Sequence, residues 1–259
     1  MAKCLKCSKY GAWRLADGRV KCTNCGVVSR PRKIWDLSRL PEATKARLLE
    51  CFVFGVPVYR LRFRVQVSAP AAERFYRLAR AACAYAENLR EPLFGHLELD
   101  ETTFGGHRPG LRGWGAAGKV IVFGILKRNG VVCVSPIGAR NHREIIEKVV
   151  TQTTPGSLYY TDEWQAYTSL RMRGSHIVIR KEKGRPKGRE HINGIEGFWS
   201  YAKHWLYPYR GVPQRYFHLY LGEVAFRFNH RNEDLVPLVM NLMKSIDATK
   251  IELKPVQFG

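Results

Sequence analysis

The chain has 259 residues, 45% of them hydrophobic and 25% charged, enough apolar material to close a sizeable core and to exclude wholesale disorder. Lys and Arg total 43 against 22 Asp and Glu, a formal charge of +21. That excess disfavours an ordinary small-molecule enzyme and favours a polyanionic partner, nucleic acid ahead of an anionic membrane. No run approaches the ~18 uncharged apolar residues of a membrane span. The opening residues lack the apolar core of a signal peptide, so the expectation is a cytoplasmic protein. Its seven cysteines are then thiols or metal ligands rather than disulfides.

Residues 1–30 open with Cys4-x-x-Cys7 and, after fourteen residues, Cys22-x-x-Cys25. Four thiolates in two matched knuckles suit tetrahedral Zn²⁺, with Gly26 allowing the tight turn behind the second pair. Tyr10, Trp13, Leu15 and Val20 read as two short strands around them, which gives a zinc ribbon. A reduced redox pair is the alternative, but a redox motif needs no second knuckle. Four Cys ligands leave no open coordination position, so the expected zinc is structural. Cys51, Cys83 and Cys133 sit among apolar residues and read as core thiols.

Residues 31–92 read as helical and basic. A helix over 42–54 ends at Gly55 and Pro57. An Arg-rich segment follows at 57–65 (Arg60, Arg62, Arg64), whose alternation also allows a strand. Ser68 and Pro70 start a further helix, with Phe75, Leu78, Ala79, Ala82 and Tyr85 on one face and Arg74, Arg77 and Arg80 recurring every three residues along another side. Three such helices fit a helix-turn-helix-like domain. Residues 1–95 hold nineteen Lys or Arg against seven acids, and that density predicts DNA contact by the six arginines. A solvated bundle is the bland alternative.

Residues 93–235 carry the chemistry, ahead of a tail at 236–259. A strand over 97–104 holds Asp100, with Glu98 on the same side. An acid inside a strand is costly to bury unless paired or metal-bound. Glycine-rich sequence follows, with Arg108, Arg112 and Lys119 able to touch phosphates. Gly113-x4-Gly118-Lys119 resembles a P-loop but lacks the Ser or Thr and the helix that motif requires. Strands over 119–127 and 131–137 flank an Asn129-Gly130 hairpin turn. A helix over 141–152, a strand over 157–162 ending in Asp162, a short helix from Glu163 to Leu170 and a strand over 176–179 come next. The run 171–189 is densely basic, and Arg180, Lys181, Lys183, Arg185 and Lys187 are read as nucleic-acid contacts. The last core helix, 193–206, has an apolar stripe of Ile192, Ile195, Trp199, Ala202 and Leu206, with Glu196 and Lys203 seven residues apart on its polar side. Strand, strand, strand, helix, strand, helix, strand, helix is the ribonuclease-H-like order. It gives an α/β domain with a mixed five-stranded sheet and flanking helices.

Two divalent ions ~3.5–4 Å apart stabilise both the attacking and departing oxygens of a phosphodiester displacement, and hard Mg²⁺ takes carboxylate oxygen. Asp100 can bridge both ions, with Asp162 and Glu196 each completing one. Asn193 and Glu196 could instead form a capping box. Lys203 either contacts substrate phosphate or is a solvated helix lysine.

These motifs have a resemblance. The Cys-x-x-Cys pairs, Leu-Asp-Glu-Thr-Thr-Phe-Gly-Gly at 99–106, Tyr-Thr-Asp-Glu-Trp-Gln-Ala-Tyr at 160–167, His-Ile-Asn-Gly-Ile-Glu-Gly-Phe-Trp-Ser at 191–200 and Phe-Arg-Phe-Asn-His-Arg at 226–231 together resemble an insertion-sequence transposase of the ISXO-like group, related to Merlin elements. The resemblance covers nearly the whole chain. It implies a ribonuclease-H-like fold, an acidic triad on Asp100, Asp162 and Glu196 with a basic partner on Lys203, and catalytic Mg²⁺ or Mn²⁺. It also implies double-stranded DNA as partner (terminal inverted repeats and target), homo-oligomers on DNA and a nucleoid-associated location. Asn193 is a rival third ligand; the charged oxygen favours Glu196. A catalytically inactive zinc-ribbon DNA-binding regulator and a ribonuclease-H-like nuclease or resolvase are the alternative functions.

Overall fold

The computed structural model describes residues 2–4, 6–7, 9–30, 32–105, 119–163, 165–179, 191–209, 211–251 and 253. At the N-terminus β1 (Ala2–Lys3), β2 (Tyr10–Arg14), β3 (Val20–Cys22) and β4 (Val28–Ser29) form an antiparallel sheet in sequence order. Its described buried residues are only Cys4, Ala12 and Cys22, while Tyr10 and Trp13 lie exposed. So small a core cannot hold a fold by apolar burial, which leaves the cysteines to do it. Gly26 turns the second knuckle with φ 67° and donates its N–H to Cys22 O at 3.0 Å.

The basic region folds as α1 (Glu42–Val53), a 3-10 helix (Val58–Phe63) and α2 (Ala69–Asn88). The segment whose alternation allowed a strand is therefore the 3-10 helix, with Leu61 alone of its residues buried. α2 presents Phe75, Tyr76, Leu78, Ala79 and Ala82 to a core shared with Trp35, Leu48, Leu49 and Phe52. Two late elements complete that core. Phe226 reaches it from α5 (Phe217–Asn229), and Val239 and Met243 from α6 (Leu235–Ser245). Residues 236–259, expected as a tail, thus contribute a helix capped by Asp234, which accepts the Val236 N–H at 3.0 Å. Gly222 lets α5 close on α2, since a Cβ there would stand 2.5 Å from Ala84 Cβ.

The second unit is a five-stranded sheet of β5 (His96–Phe104), β6 (Val120–Lys127), β7 (Val132–Ile137), β8 (Leu158–Thr161) and β9 (Ser175–Val178), ordered β7-β6-β5-β8-β9. β5, β6 and β7 are antiparallel neighbours, whereas β8 runs parallel to β5 and β9 parallel to β8. Asn129, at φ 57°, makes the hairpin turn the sequence predicts. One face packs on α4 (Asn193–Leu206) and α5 through Val122, Leu126, Ile195, Phe198 and Trp199. The other packs through Leu97, Leu99, Phe123 and Ile125 on α3 (His142–Gln152) and on Tyr167 and Leu170. The expected short helix after β8 is a 3-10 helix over Gln165–Met172. Three antiparallel strands followed by two parallel ones, with helices on both faces, make this sheet ribonuclease-H-like. Among the described residues no helix is long and apolar enough to cross a membrane.

Candidate functional site

Alternation along β5 sends Glu98, Asp100 and Thr102 to the face covered by α4. Two strand residues advance ~6.7 Å and four helix residues ~6.0 Å, so a strand and helix running the same way meet rung by rung. The contacts follow that arithmetic. Glu98 Oε2 accepts the Ile195 N–H at 2.9 Å, Asp100 Oδ2 accepts from Trp199 Nε1 at 3.0 Å, and Lys203 Nζ donates to Thr102 Oγ1 at 2.9 Å. The first rung replaces a capping box. α4 starts at Asn193 with no side-chain cap of its own, and the buried Glu98 carboxylate satisfies an early N–H instead. Arg128 Nε pairs with Glu98 Oε1 at 2.8 Å. His191 stands 3.7 Å from the same oxygen and accepts the Asn193 N–H at 3.4 Å, a local role at the helix start.

The middle rung depends on Gly124, which faces Asp100 across β6. A Cβ at Gly124 would lie 2.6 Å from the Trp199 ring, so the bare backbone is what lets the indole lie against β6 and reach Asp100. In the parallel register Glu98 pairs with Tyr160. Two residues further on, Asp162 comes level with Asp100, just beyond β8. Burial, opposed by N–H donors from Glu101 and Trp199 and reinforced by the charges of Asp162 and Glu196, pushes the Asp100 carboxyl up to about 6. Asp100 therefore feels both other acids. Asn193, Glu196, Ser200 and Lys203 line the exposed side of α4.

Behind this face sits a group that sequence reading missed. Glu101 points through the sheet and is buried, accepting from Tyr167 Oη at 2.7 Å and facing Arg140 at 3.4 Å. Arg140 also stands 3.9 Å from Asp162 and so links the two acids. Burial, opposed by Tyr167 and Arg140, pushes the Glu101 carboxyl up to about 7. Glu101 follows the singled-out Asp100 in the strand, and Tyr167 closes the 160–167 motif. Both could have been flagged there, whereas Arg140 carried no sequence signal.

Among the described residues, the four cysteines are the one group of three or more His, Cys, Asp or Glu whose ligand atoms all lie within 4.8 Å of one another. Cys4 and Cys25 Sγ are 3.6 Å apart, as are Cys7 and Cys22 Sγ. A tetrahedron with Zn–S of ~2.3 Å has edges of ~3.8 Å, so the set can hold a metal ion. Backbone N–H groups of Cys7 and Lys6 hold the Cys4 thiol down at about 6. The three carboxylates are spaced more widely.

The arginines divide. Arg60, Arg62, Arg64 and Arg74 are exposed, and Arg77 is half-buried with its guanidinium 4.0 Å from the Tyr216 ring centre. Arg80, expected on the DNA-facing side, is 2% exposed and pairs with Glu223 at 2.7 Å. A spacing of three falls 60° short of a full turn at each step, so Arg80 has rotated about 120° from Arg74, out of solvent and into the core. Arg108, Arg112, Arg180, Lys181, Lys183, Arg185 and Lys187 lie outside the described residues.

Comparison with known proteins bears on this chain in three ways. An uncharacterised transposase-like protein of Haemophilus influenzae is 38% identical over 77 residues, which span 29% of this chain and 63% of the relative. The catalytic core domain of BIV integrase aligns at a TM-score of 0.37 with 13% identity, over 54% of this chain and 85% of the other. A simian T-cell lymphotropic virus intasome in complex with a PP2A regulatory subunit aligns at 0.35 with 17% identity, over 83% and 78%. The model of the ISXO2-like transposase domain matches residues 92–229, which contain β5 to α5 with Asp100, Asp162 and Glu196. With more than half its length inside that match, the chain belongs to the ISXO2-like transposase family.

Proposed function

We propose that this protein is a DNA transposase that binds the ends of its element and catalyses phosphodiester hydrolysis and strand transfer. The observation that carries the reading is the Asp100 carboxylate, held mid-strand by Trp199 and within the electrostatic reach of Asp162 and Glu196. An all-oxygen, mutually repelling donor set fits hard divalent ions, because bound cations remove the repulsion. Asp100, Asp162 and Glu196 would hold Mg²⁺ or Mn²⁺, with Asn193 the rival to Glu196, and the ions would supply charge for the attacking and departing oxygens. Lys203, which donates to Thr102 Oγ1, would meet a substrate phosphate. In the first reaction water attacks the phosphorus at the element end, and the released oxygen leaves as a 3′-hydroxyl. In the second that hydroxyl attacks a target phosphodiester, forming a new bond to phosphorus and freeing a target 3′-hydroxyl. Both are in-line displacements, so one site serves both.

Zinc held by Cys4, Cys7, Cys22 and Cys25 would fix the ribbon. The ribbon, with Arg60, Arg62, Arg64, Arg74 and Arg77, would bind terminal repeats by phosphate neutralisation. Arg108, Arg112 and the 180–187 cations join that surface on their sequence alone. Synapsis of two ends calls for a homo-oligomer on DNA, at the nucleoid. The test is Asp100→Asn in the full chain with DNA carrying element ends and Mg²⁺. Strand transfer should be lost while end binding persists; an unchanged transfer rate rejects the mechanism.

A further inference from the structure

A cleft of about 410 Å³ opens between the 3-10 helix Val58–Phe63, the first half of α2 and the connector into α5. Its volume lies in the range of small-ligand sites. Tyr59, Tyr209, Tyr216 and Tyr220 line it together with Arg77 and Arg215. Arg77 lies 4.0 Å and Arg215 5.3 Å from the centre of the Tyr216 ring, so two guanidiniums gather at one aromatic ring.

Arg80 also lines the cleft, and its charge is not balanced. Glu223 accepts from Arg80 Nε at 2.7 Å and from Arg227 Nε at 2.9 Å, and the three side chains are 2%, 0% and 4% exposed. Two guanidiniums thus share one buried carboxylate. Arg227 spends its other nitrogens on the carbonyls of Val53 and Phe52, at 2.8 and 2.7 Å. Among the described residues Arg80 Nη2 makes no close hydrogen bond, and the buried hydroxyl of Tyr209 has no partner beyond this guanidinium. Tyr220 and Tyr209 turn their rings to the Arg80 guanidinium, at 3.7 and 5.2 Å, which offsets part of the cost of a buried excess cation. An anion would offset the rest. Among the described cleft-lining residues Glu73 is the one acid, against three arginines.

A ligand with a phosphate and a flat ring satisfies both halves of this site. We propose that the cleft holds a single nucleotide, its phosphate drawn by Arg80, Arg77 and Arg215 and its base laid against the Tyr59 and Tyr216 side. The source of that nucleotide rests on the transposase reading: an unpaired position in the DNA at an element end, turned out of its stack. Arginine planes and tyrosine rings accept any base face, so the cleft would read unpairing rather than sequence.

The experiment uses the full, zinc-loaded chain without Mg²⁺. Fluorescence anisotropy follows a short labelled oligothymidylate and a fully paired duplex of equal length. Tyr216→Ala removes the stacking wall. Tyr209→Phe removes only a hydroxyl and keeps the packing. Each should weaken the single-strand complex about tenfold and the duplex complex less than about twofold. Thermal melting confirms that both variants stay folded. Thymidine monophosphate should compete where inorganic phosphate does not. Competition by the monophosphate at the strand's own affinity assigns the cleft to free nucleotides. Inorganic phosphate competing equally, or folded variants that bind the single strand like the parent, overturns the proposal. Tyr216-sensitive binding in a protein that never transfers strands would reject the transposase reading and leave the cleft assignment standing.

Discussion

Replacing Asp100 by Asn should make the protein more stable. The carboxyl is pushed from the ordinary 3.8 up to about 6, chiefly by burial and further by the charges of Asp162 and Glu196. A folded-state value above the unfolded one means that the native state holds its proton more tightly. Stability is therefore untouched well below the unfolded value, falls as pH rises between the two, and carries the full penalty above about 6. A shift of about two units corresponds to about 3 kcal/mol. Asn removes the charge and keeps an amide oxygen for Trp199 Nε1. At about pH 7.5, without added divalent ions, the gain of about 3 kcal/mol translates to a melting temperature higher by about 6–12 °C. At about pH 5 the gain should shrink to about half, because the native carboxyl is already protonated there. Calorimetry of the zinc-loaded parent and variant across this pH range reads both numbers. A variant that melts at or below the parent at about pH 7.5, or a gain that does not shrink with acid, refutes the argument that the three acids strain the fold. Adding Mg²⁺ should raise the melting temperature of the parent more than that of the variant, since relieved repulsion is available only where the charge exists.

Gly124→Ala should dislodge the Trp199 indole, because the added carbon would stand 2.6 Å from its ring. The expected cost is about 1–3 kcal/mol, read by urea unfolding, with strand transfer falling in step as Asp100 loses its donor. Stripping zinc with a chelator should melt the ribbon, whose described buried residues are few, and leave the helical and sheet units folded. Loss of end binding with little change in far-ultraviolet helix signal is the expected outcome, and persistence of full binding would refute the ribbon's part in it.

Much of this architecture was legible because the relevant signals are periodic and local. Alternation in His96–Phe104, the apolar run of Val120–Lys127, the Asn129-Gly130 turn and the apolar stripe of α4 each state their element within a few residues. The shared face of Glu98 and Asp100 was readable because alternation along one strand fixes it. What escaped depends on contacts between distant segments. Arg80 has the spacing of a surface cation, and only the arrival of Glu223, 143 residues later, shows that it belongs inside. Trp199 read as core, which it is, but its second role requires a glycine on the neighbouring strand. Residues 236–259 were read only as a tail, because the purpose of the apolar residues of α6 appears only at their destination, the core started by residues 34–52.

That destination sets the order in which the molecule can mature on the ribosome. The helical core begins with Ile34 and closes only when Phe226, Val239 and Met243 have been synthesised. A nascent or prematurely terminated product lacking α5 and α6 leaves Phe52, Phe75 and Leu78 uncovered and Arg80 without its counter-charge. The five-stranded sheet has all its strands by Val178, whereas the helical core waits for Met243, so such fragments should be chaperone clients and protease substrates.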